Sequence, residues 1–127
     1  MKILMIHPHD VFSLEEPWTS RIRNIAKKLM AFGHDVRLIY FRSPGNETAV
    51  QPNTTLPAIG LLRKTRAFPH NIKKIIREAR WADIIHVQKC FDYAAMPAAL
   101  ASIIHNKPLH YDWDDWEFAI YNAAPDS

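Results

Sequence analysis

The stretch from His110 to Glu117, H-Y-D-W-D-D-W-E, packs four carboxylates and two tryptophans into eight residues of a basic chain. Asp112 and Asp114 are spaced as D-x-D, with Asp115 and Glu117 extending the acid. Magnesium and manganese take such oxygen ligands. Asp114 or Asp115 is equally a good N-cap for a helix through Trp116 and Phe118. Capping is the preferred reading, and no metal site is assigned. A second stretch, H-P-H-D-V-F-S-L-E-E-P-W, brings His9, Asp10, Glu16 and Trp18 close together. Carboxylates and an imidazole can hydrogen-bond hydroxyls, and an indole gives a flat platform, so these four suit a polyhydroxy ligand. The plainer reading is a polar loop before a capped helix. A third stretch, A-D-I-I-H-V-Q, ends in Gln88, with His86 on the same face of a period-two strand. A histidine within an apolar strand reads first as a satisfied core residue. The lone thiol, Cys90, has no histidine beside it in any local motif, which argues against a cysteine nucleophile.

These three stretches need elements to bring them together. Lys2 to His7 is a short continuous apolar run, as in a strand buried on both faces of a parallel sheet. Pro17 suits a first helical position, Ile22, Ile25, Ala26 and Leu29 form one face, and Gly33 is the expected stop. Val36 to Phe41 reads as a second strand, and Arg42 to Leu56 as a loop. Ala58 to Leu62 reads as a third strand, followed by a basic patch of Arg63, Lys64 and Arg66. Pro69 opens a second amphipathic helix, Ala82 to Gln88 is a fourth strand, Ala94 to His105 an alanine-rich helix, and Leu109 to Asp112 a fifth strand. Asp115 to Asn122 reads as a last helix. This alternation predicts a Rossmann-like three-layer α/β/α domain with a mostly parallel sheet of order about 3-2-1-4-5. Ligands of such sheets bind at the carboxyl ends of the strands, near the switch between strands 1 and 4. That rule selects the loops after His7, Gln88 and Asp112, the three stretches already singled out.

Composition bounds the rest. The 127 residues suit one domain, and 48% apolar with 23% charged residues is ordinary globular composition. Net charge is +3 with pI near 9.1, which admits anionic partners without requiring them. One cysteine suits a reducing compartment, so a cytoplasmic protein is expected. No apolar run reaches the ~18–20 residues of a membrane helix. The polar faces of the first two helices (Arg21, Arg23, Lys27, Lys28; Lys73, Lys74, Arg77, Arg80) are either solvated surfaces or peripheral contacts with anionic membrane at its inner face. Aromatics are not interleaved with Lys and Arg as a stacking platform, so no nucleic-acid partner is expected. No glycine lies between Met1 and Gly33, which argues against a dinucleotide cradle after the first strand.

M-K-I-L-M-I-H-P, then L-M-A-F-G-H-D-V-R-L-I-Y, A-D-I-I-H-V-Q and K-P-L-H-Y-D-W-D-D-W-E occur in one order. In this the chain resembles the N-terminal domain of family 4 glycosyltransferases of the GT-B fold. G-H-D-V matches that family's G-H-x-V, A-D-I-I-H its strand ending in histidine, and Y-D-W-D-D-W an aspartate-rich version of its histidine-aspartate segment. The resemblance covers nearly the whole chain. It implies a retaining enzyme that transfers sugar from a nucleotide sugar to a glycan or lipid-linked acceptor, with no metal required and no other cofactor. It further implies Asp112 in the catalytic cleft position, where many members carry histidine. His9, Asp10, Glu16, Trp18, Gln88 and Asp114 would then lie on the acceptor side. Three departures accompany it: no glycine pair after the first strand, aspartate instead of histidine at 112, and no E-x7-E, since Glu15, Glu16, Glu47, Glu78 and Glu117 are never eight apart. The expectation is therefore a single acceptor-binding domain over 1–127. Its partner would be a C-terminal nucleotide-sugar-binding domain outside this chain, without which transfer does not occur. The competing reading is a non-enzymatic flavodoxin-like module for a small ligand or a protein. A receiver domain is disfavoured because His7-Pro8-His9 stands where an acidic pair is needed.

Overall fold

The computed structural model describes residues 1–12, 17–42, 56–88 and 91–112, with the side chains of 17–19 outside the described set. The elements are β1 (Lys2–His7), α1 (Pro17–Ala31), β2 (Asp35–Arg42), β3 (Ala58–Leu62), a 3-10 turn (Thr65–Ala67), α2 (Phe68–Trp81), β4 (Ile84–Gln88), α3 (Asp92–His105) and β5 (Leu109–Asp112). They form one five-stranded sheet of order β3-β2-β1-β4-β5, parallel at every pairing. The Rossmann-like architecture and strand order are those read from the sequence. The expected helix over 115–122 lies outside the described residues, as does the expected loop over 42–56 except at its ends, where Arg42 closes β2 instead and Leu56 is buried.

β1 is the middle strand, and its unbroken apolar run has a direct consequence: Ile3 through His7 are all buried. One face of the sheet carries Leu4, Ile6, Ile39, Phe41, Ile85 and Val87, and packs on Ile75 and Ala79 of α2 and Ala94, Ala98 and Ala101 of α3. The other face carries Ile3, Met5, Val36, Leu38 and Tyr40 and packs on Ile22 and Ala26 of α1. Each fully buried isoleucine, such as Ile75 or Ile22, is worth about 1.5–3 kcal/mol against exposure. α1 and α2 therefore lie on opposite layers. Their basic faces point away from each other, so one flat membrane surface can meet only one of them.

Helices α1 and α3 end in the same device. After α1, the His34 amide donates to the Leu29 carbonyl at 3.1 Å and the Gly33 amide to Met30 at 3.0 Å, with Gly33 at φ 91°. After α3, the Lys107 amide donates to Ser102 at 3.0 Å and the Asn106 amide to Ile103 at 3.4 Å, with Asn106 at φ 51°. These are Schellman closures, which need a left-handed residue and satisfy the last free carbonyls of the helix.

Element boundaries shift by a few residues from the sequence reading. β4 starts at Ile84 rather than Ala82, because Ala82 still donates to Ala79 of α2. Asp83 then forms a corner with Lys2: its amide reaches the Lys2 carbonyl at 2.7 Å, and its carboxylate accepts the Lys2 amide at 2.8 Å. That backbone donor holds Asp83 below the ordinary carboxylate range. Near the same amino end Arg37 stacks over Trp81 at 4.1 Å and reaches Glu78 at 2.9 Å. These contacts brace the amino end of the sheet.

Candidate functional site

At the carboxyl ends of β1 and β4, two polar side chains are wholly buried. His7 and Gln88 are both 0% exposed, and His7 Nδ1 meets Gln88 Oε1 at 2.7 Å. The imidazole Nδ1–H donates to the amide oxygen. The bond satisfies one polar atom of each side chain and so offsets part of the cost of burying them. Gln88, expected from the sequence at the mouth of the cleft, is instead fully buried beneath it and bonded to His7. His7 was not singled out by sequence reasoning. Its signal was available: it is the last residue of the middle strand, next to the order switch.

Above this pair runs the loop after β1. Asp10 accepts the Phe12 amide at 2.9 Å, an Asx turn that sets the path of the loop. His9 is half-buried and presents an edge to two neighbours, His7 at 5.8 Å between ring centres and Phe91 at 5.2 Å. Phe91 in turn lies 5.7 Å from Tyr93. The Tyr93 hydroxyl donates to the Pro8 carbonyl at 2.9 Å, so the start of α3 is tied to the β1 loop. His9 and Asp10 are therefore brought to the same rim as Gln88, as the topology requires. Glu16 and Asp114 lie outside the described residues. Trp18 occupies the second position of α1, with its side chain outside the described set.

On the other side of the rim, register pairs Gln88 with Asp112 and His86 with His110. Arg21 of α1 reaches across. Its Nη1 donates to Asp112 Oδ2 at 2.7 Å, and its Nη2 approaches Oδ1 at 3.4 Å. Asp112 is mostly covered, at 13% side-chain exposure, while Arg21 keeps 43%. A helix following a strand in such a fold runs back antiparallel to it, so its first turns stand over the strands' carboxyl ends. That rule could have located Arg21, which the sequence reading assigned to a polar face.

Below Asp112 two imidazoles stack, His86 on His110, with centres 4.9 Å apart and their Nδ1 atoms 2.8 Å apart. Burial, then the neighbouring His110, push His86 down from the ordinary value of 6.5 to about 4; Asp112 opposes this and Arg21 adds to it. The 3.7 Å approach of His86 Nε2 to Asp112 Oδ2 is thus a contact between a neutral imidazole and a carboxylate at neutral pH. His86 is neither the plain core residue that a strand histidine suggests nor a cation.

The rim therefore offers a carboxylate, a guanidinium, imidazoles and aromatic edges around the order switch. These groups accept and donate hydrogen bonds to hydroxyls, which is the chemistry of carbohydrate recognition. Among the described residues no group of three or more His, Cys, Asp or Glu side chains could hold a metal ion. Among them, too, no helix is long and apolar enough to cross a membrane.

Comparison with known proteins bears on both fold and family. Among solved structures, the crystal structure of the C-terminal domain of a hydrogenase from Pyrococcus furiosus aligns over 88% of this chain and 91% of that one, with a TM-score of 0.55 and 14% identity. At that identity the likeness concerns the fold alone. No curated protein gives a significant match. The family model described as Glycosyltransferase Family 4 matches residues 19–122, from α1 through the last strand of the rim. With most of its length inside that match, and with Arg21, Gln88 and Asp112 all within it, the chain belongs to glycosyltransferase family 4.

Proposed function

We propose that this chain is the acceptor-binding domain of a retaining glycosyltransferase, which moves a sugar from a nucleotide sugar to a glycan or lipid-linked acceptor. The observation that carries the reading is the Arg21–Asp112 pair standing beside the buried His7–Gln88 pair at the order switch. This polar rim lies where a parallel sheet takes its ligands. Asp112 is its carboxylate toward the transferring sugar, and His9 and Asp10 flank the acceptor. Glu16, Trp18 and Asp114 belong to the same acceptor side in this reading. The nucleotide sugar is held by a second, C-terminal domain that is not part of these 127 residues, so transfer needs both. No metal takes part. The protein works in the cytoplasm, and any peripheral contact with an anionic membrane uses one basic helix face, not both.

The test is direct. The purified chain is applied to an array of glycans and lipid-linked sugars, and in parallel to a set of uridine and guanosine diphosphate sugars followed by saturation-transfer NMR. Capture of a defined glycan class, lost in Asp112→Asn, is expected, with no signal from the nucleotides and no turnover. Tight nucleotide-sugar binding by this chain, or sugar transfer by it alone, would overturn the assignment of roles.

A further inference from the structure

Asp112 is approached from a second side, away from Arg21. Beneath it, His86 of β4 and His110 of β5 are paired by register. Their ring planes differ by 22°, and their Nδ1 atoms lie 2.8 Å apart. A hydrogen bond between two such nitrogens needs a proton on one and a lone pair on the other. The other nitrogen of His86, Nε2, is buried and has no hydrogen-bond partner among the described residues. It stands 3.7 Å from Asp112 Oδ2, with the two side chains only 12% and 13% exposed. His86 is neutral at pH 7, so its ring carries a single N–H and two arrangements remain. With the proton on Nδ1, a buried lone pair on Nε2 faces a carboxylate, negative against negative. With the proton on Nε2, an N–H dipole points at the carboxylate, and Nδ1 accepts from His110. The second arrangement is favoured in a poorly solvated site, where such interactions are least screened. The bond made by one ring nitrogen then fixes the proton on the other.

We propose that His86 and His110 form a one-way hydrogen-bond relay that positions Asp112: His110 Nδ1–H donates to His86 Nδ1, and His86 Nε2–H points at Asp112 Oδ2. Oδ2 then faces donors on two sides, Arg21 Nη1 at 2.7 Å and His86 Nε2 at 3.7 Å. Among the described residues Oδ1 meets only Arg21 Nη2, at a longer 3.4 Å. Oδ1 is therefore the oxygen turned to an incoming hydroxyl. His86 and His110 are positioning residues, because they act on a ligand through the carboxylate. His110 is exposed, so the relay opens to solvent at its outer end, where the neutral ring keeps Nε2 as an acceptor. Both histidines lie on strands, which hold them more rigidly than a loop would. This deepens the acceptor-binding reading and rests on it only for the hydroxyl belonging to an acceptor.

The tautomers are read directly in the unliganded chain. Long-range ¹H–¹⁵N correlation of the labelled imidazoles, above neutral pH, separates protonated from unprotonated ring nitrogens; His86→Gln and His110→Asn assign the two rings. The expected result is His86 protonated at Nε2 and His110 at Nδ1. The second is not the default, since a histidine in water favours the Nε2–H form. A His86 ring protonated at Nδ1, or a His110 ring protonated only at Nε2, overturns the relay. The positioning role is read on the side-chain carboxyl ¹³C signal of Asp112. His86→Leu removes both ring and donor, whereas His86→Gln removes the ring and keeps an amide N–H. Displacement of the signal in His86→Leu, with return toward the parent position in His86→Gln, is expected. The same position in both variants overturns the positioning role, because loss of the ring alone then explains it. Parent-like backbone amide spectra exclude unfolding, and the tautomer result in the parent chain stands whether or not a variant folds. On the glycan array, capture should be roughly tenfold weaker in His86→Leu and within about threefold of the parent in His86→Gln. Glycan capture dependent on Asp112 with the opposite tautomers would remove the relay and leave the acceptor reading standing. The expected tautomers with no glycan captured would do the reverse.

Discussion

Arg21 and Asp112 are 91 positions apart in the chain, yet the guanidinium donates to the carboxylate at 2.7 Å. The pair joins the first helix to the last described strand across the carboxyl edge of the sheet. It orients Asp112 by a charged fork, which presents the carboxylate in one direction. Its contribution to folding is modest, because the guanidinium is 43% exposed. Arg21→Gln should cost no more than about 0.5–1 kcal/mol in urea unfolding, while glycan capture by the rim falls sharply. A large stability loss with intact capture would show the pair to be structural only.

The His7–Gln88 bond makes the opposite prediction. Both groups are fully buried, so Gln88→Leu strips a buried imidazole of its acceptor and should cost about 1–3 kcal/mol. Urea unfolding of the variant gives the figure. A loss within experimental error would mean that other groups already satisfy the imidazole.

His86 gives a pH dependence with a defined sign. The fold holds its pKa near 4, against 6.5 ordinarily. The unfolded chain therefore binds a proton between these values and the folded chain does not. The contribution is neutral above about pH 6.5 and turns unfavourable as pH falls toward 4. The full effect is on the order of 3 kcal/mol, at roughly 1.4 kcal/mol per pH unit. Carboxylates titrate in the same range, so the informative quantity is the difference between the parent and His86→Gln. His110→Gln should raise the His86 pKa, read by NMR, because it removes the second-largest cause of the shift.

Gly60 on β3 admits no side chain. A Cβ there would stand 2.9 Å from Cζ and from the hydroxyl of Tyr40, and 3.0 Å from Arg42 Nε. Tyr40 is 1% exposed and cannot swing away. Gly60→Ala should cost about 1–3 kcal/mol in thermal or urea unfolding.

Asn106 ends α3 in the left-handed region at φ 51°, where glycine is at ease and alanine is not. Asn106→Gly should leave stability unchanged or raise it by a few tenths of a kcal/mol. Asn106→Ala should lower it by about 1 kcal/mol. Equal melting of the two variants would contradict the closure described at this helix end.

Much of this was legible from residue order. The apolar run at Lys2–His7, the amphipathic repeat closed by Gly33 and the alternation of elements sufficed for a parallel sheet of order 3-2-1-4-5, because burial of both faces and right-handed crossovers leave few alternatives. The same rule picked the three loops of the rim, and with them His9, Asp10, Gln88 and Asp112, since strand ends are defined by position along the chain. The resemblance to family 4 was likewise carried by local segments. What no local pattern contained was which side chains meet. Arg21 looked like one more cation on a polar helix face. His7 looked like the end of a core strand, and His86 like a core histidine. Their roles come from distances between residues far apart in sequence: Arg21 with Asp112, His7 with Gln88, His86 with His110. Those distances are set by helix packing and sheet register, which depend on the whole core, and burial then decides which of these polar groups are held neutral and which keep their charge.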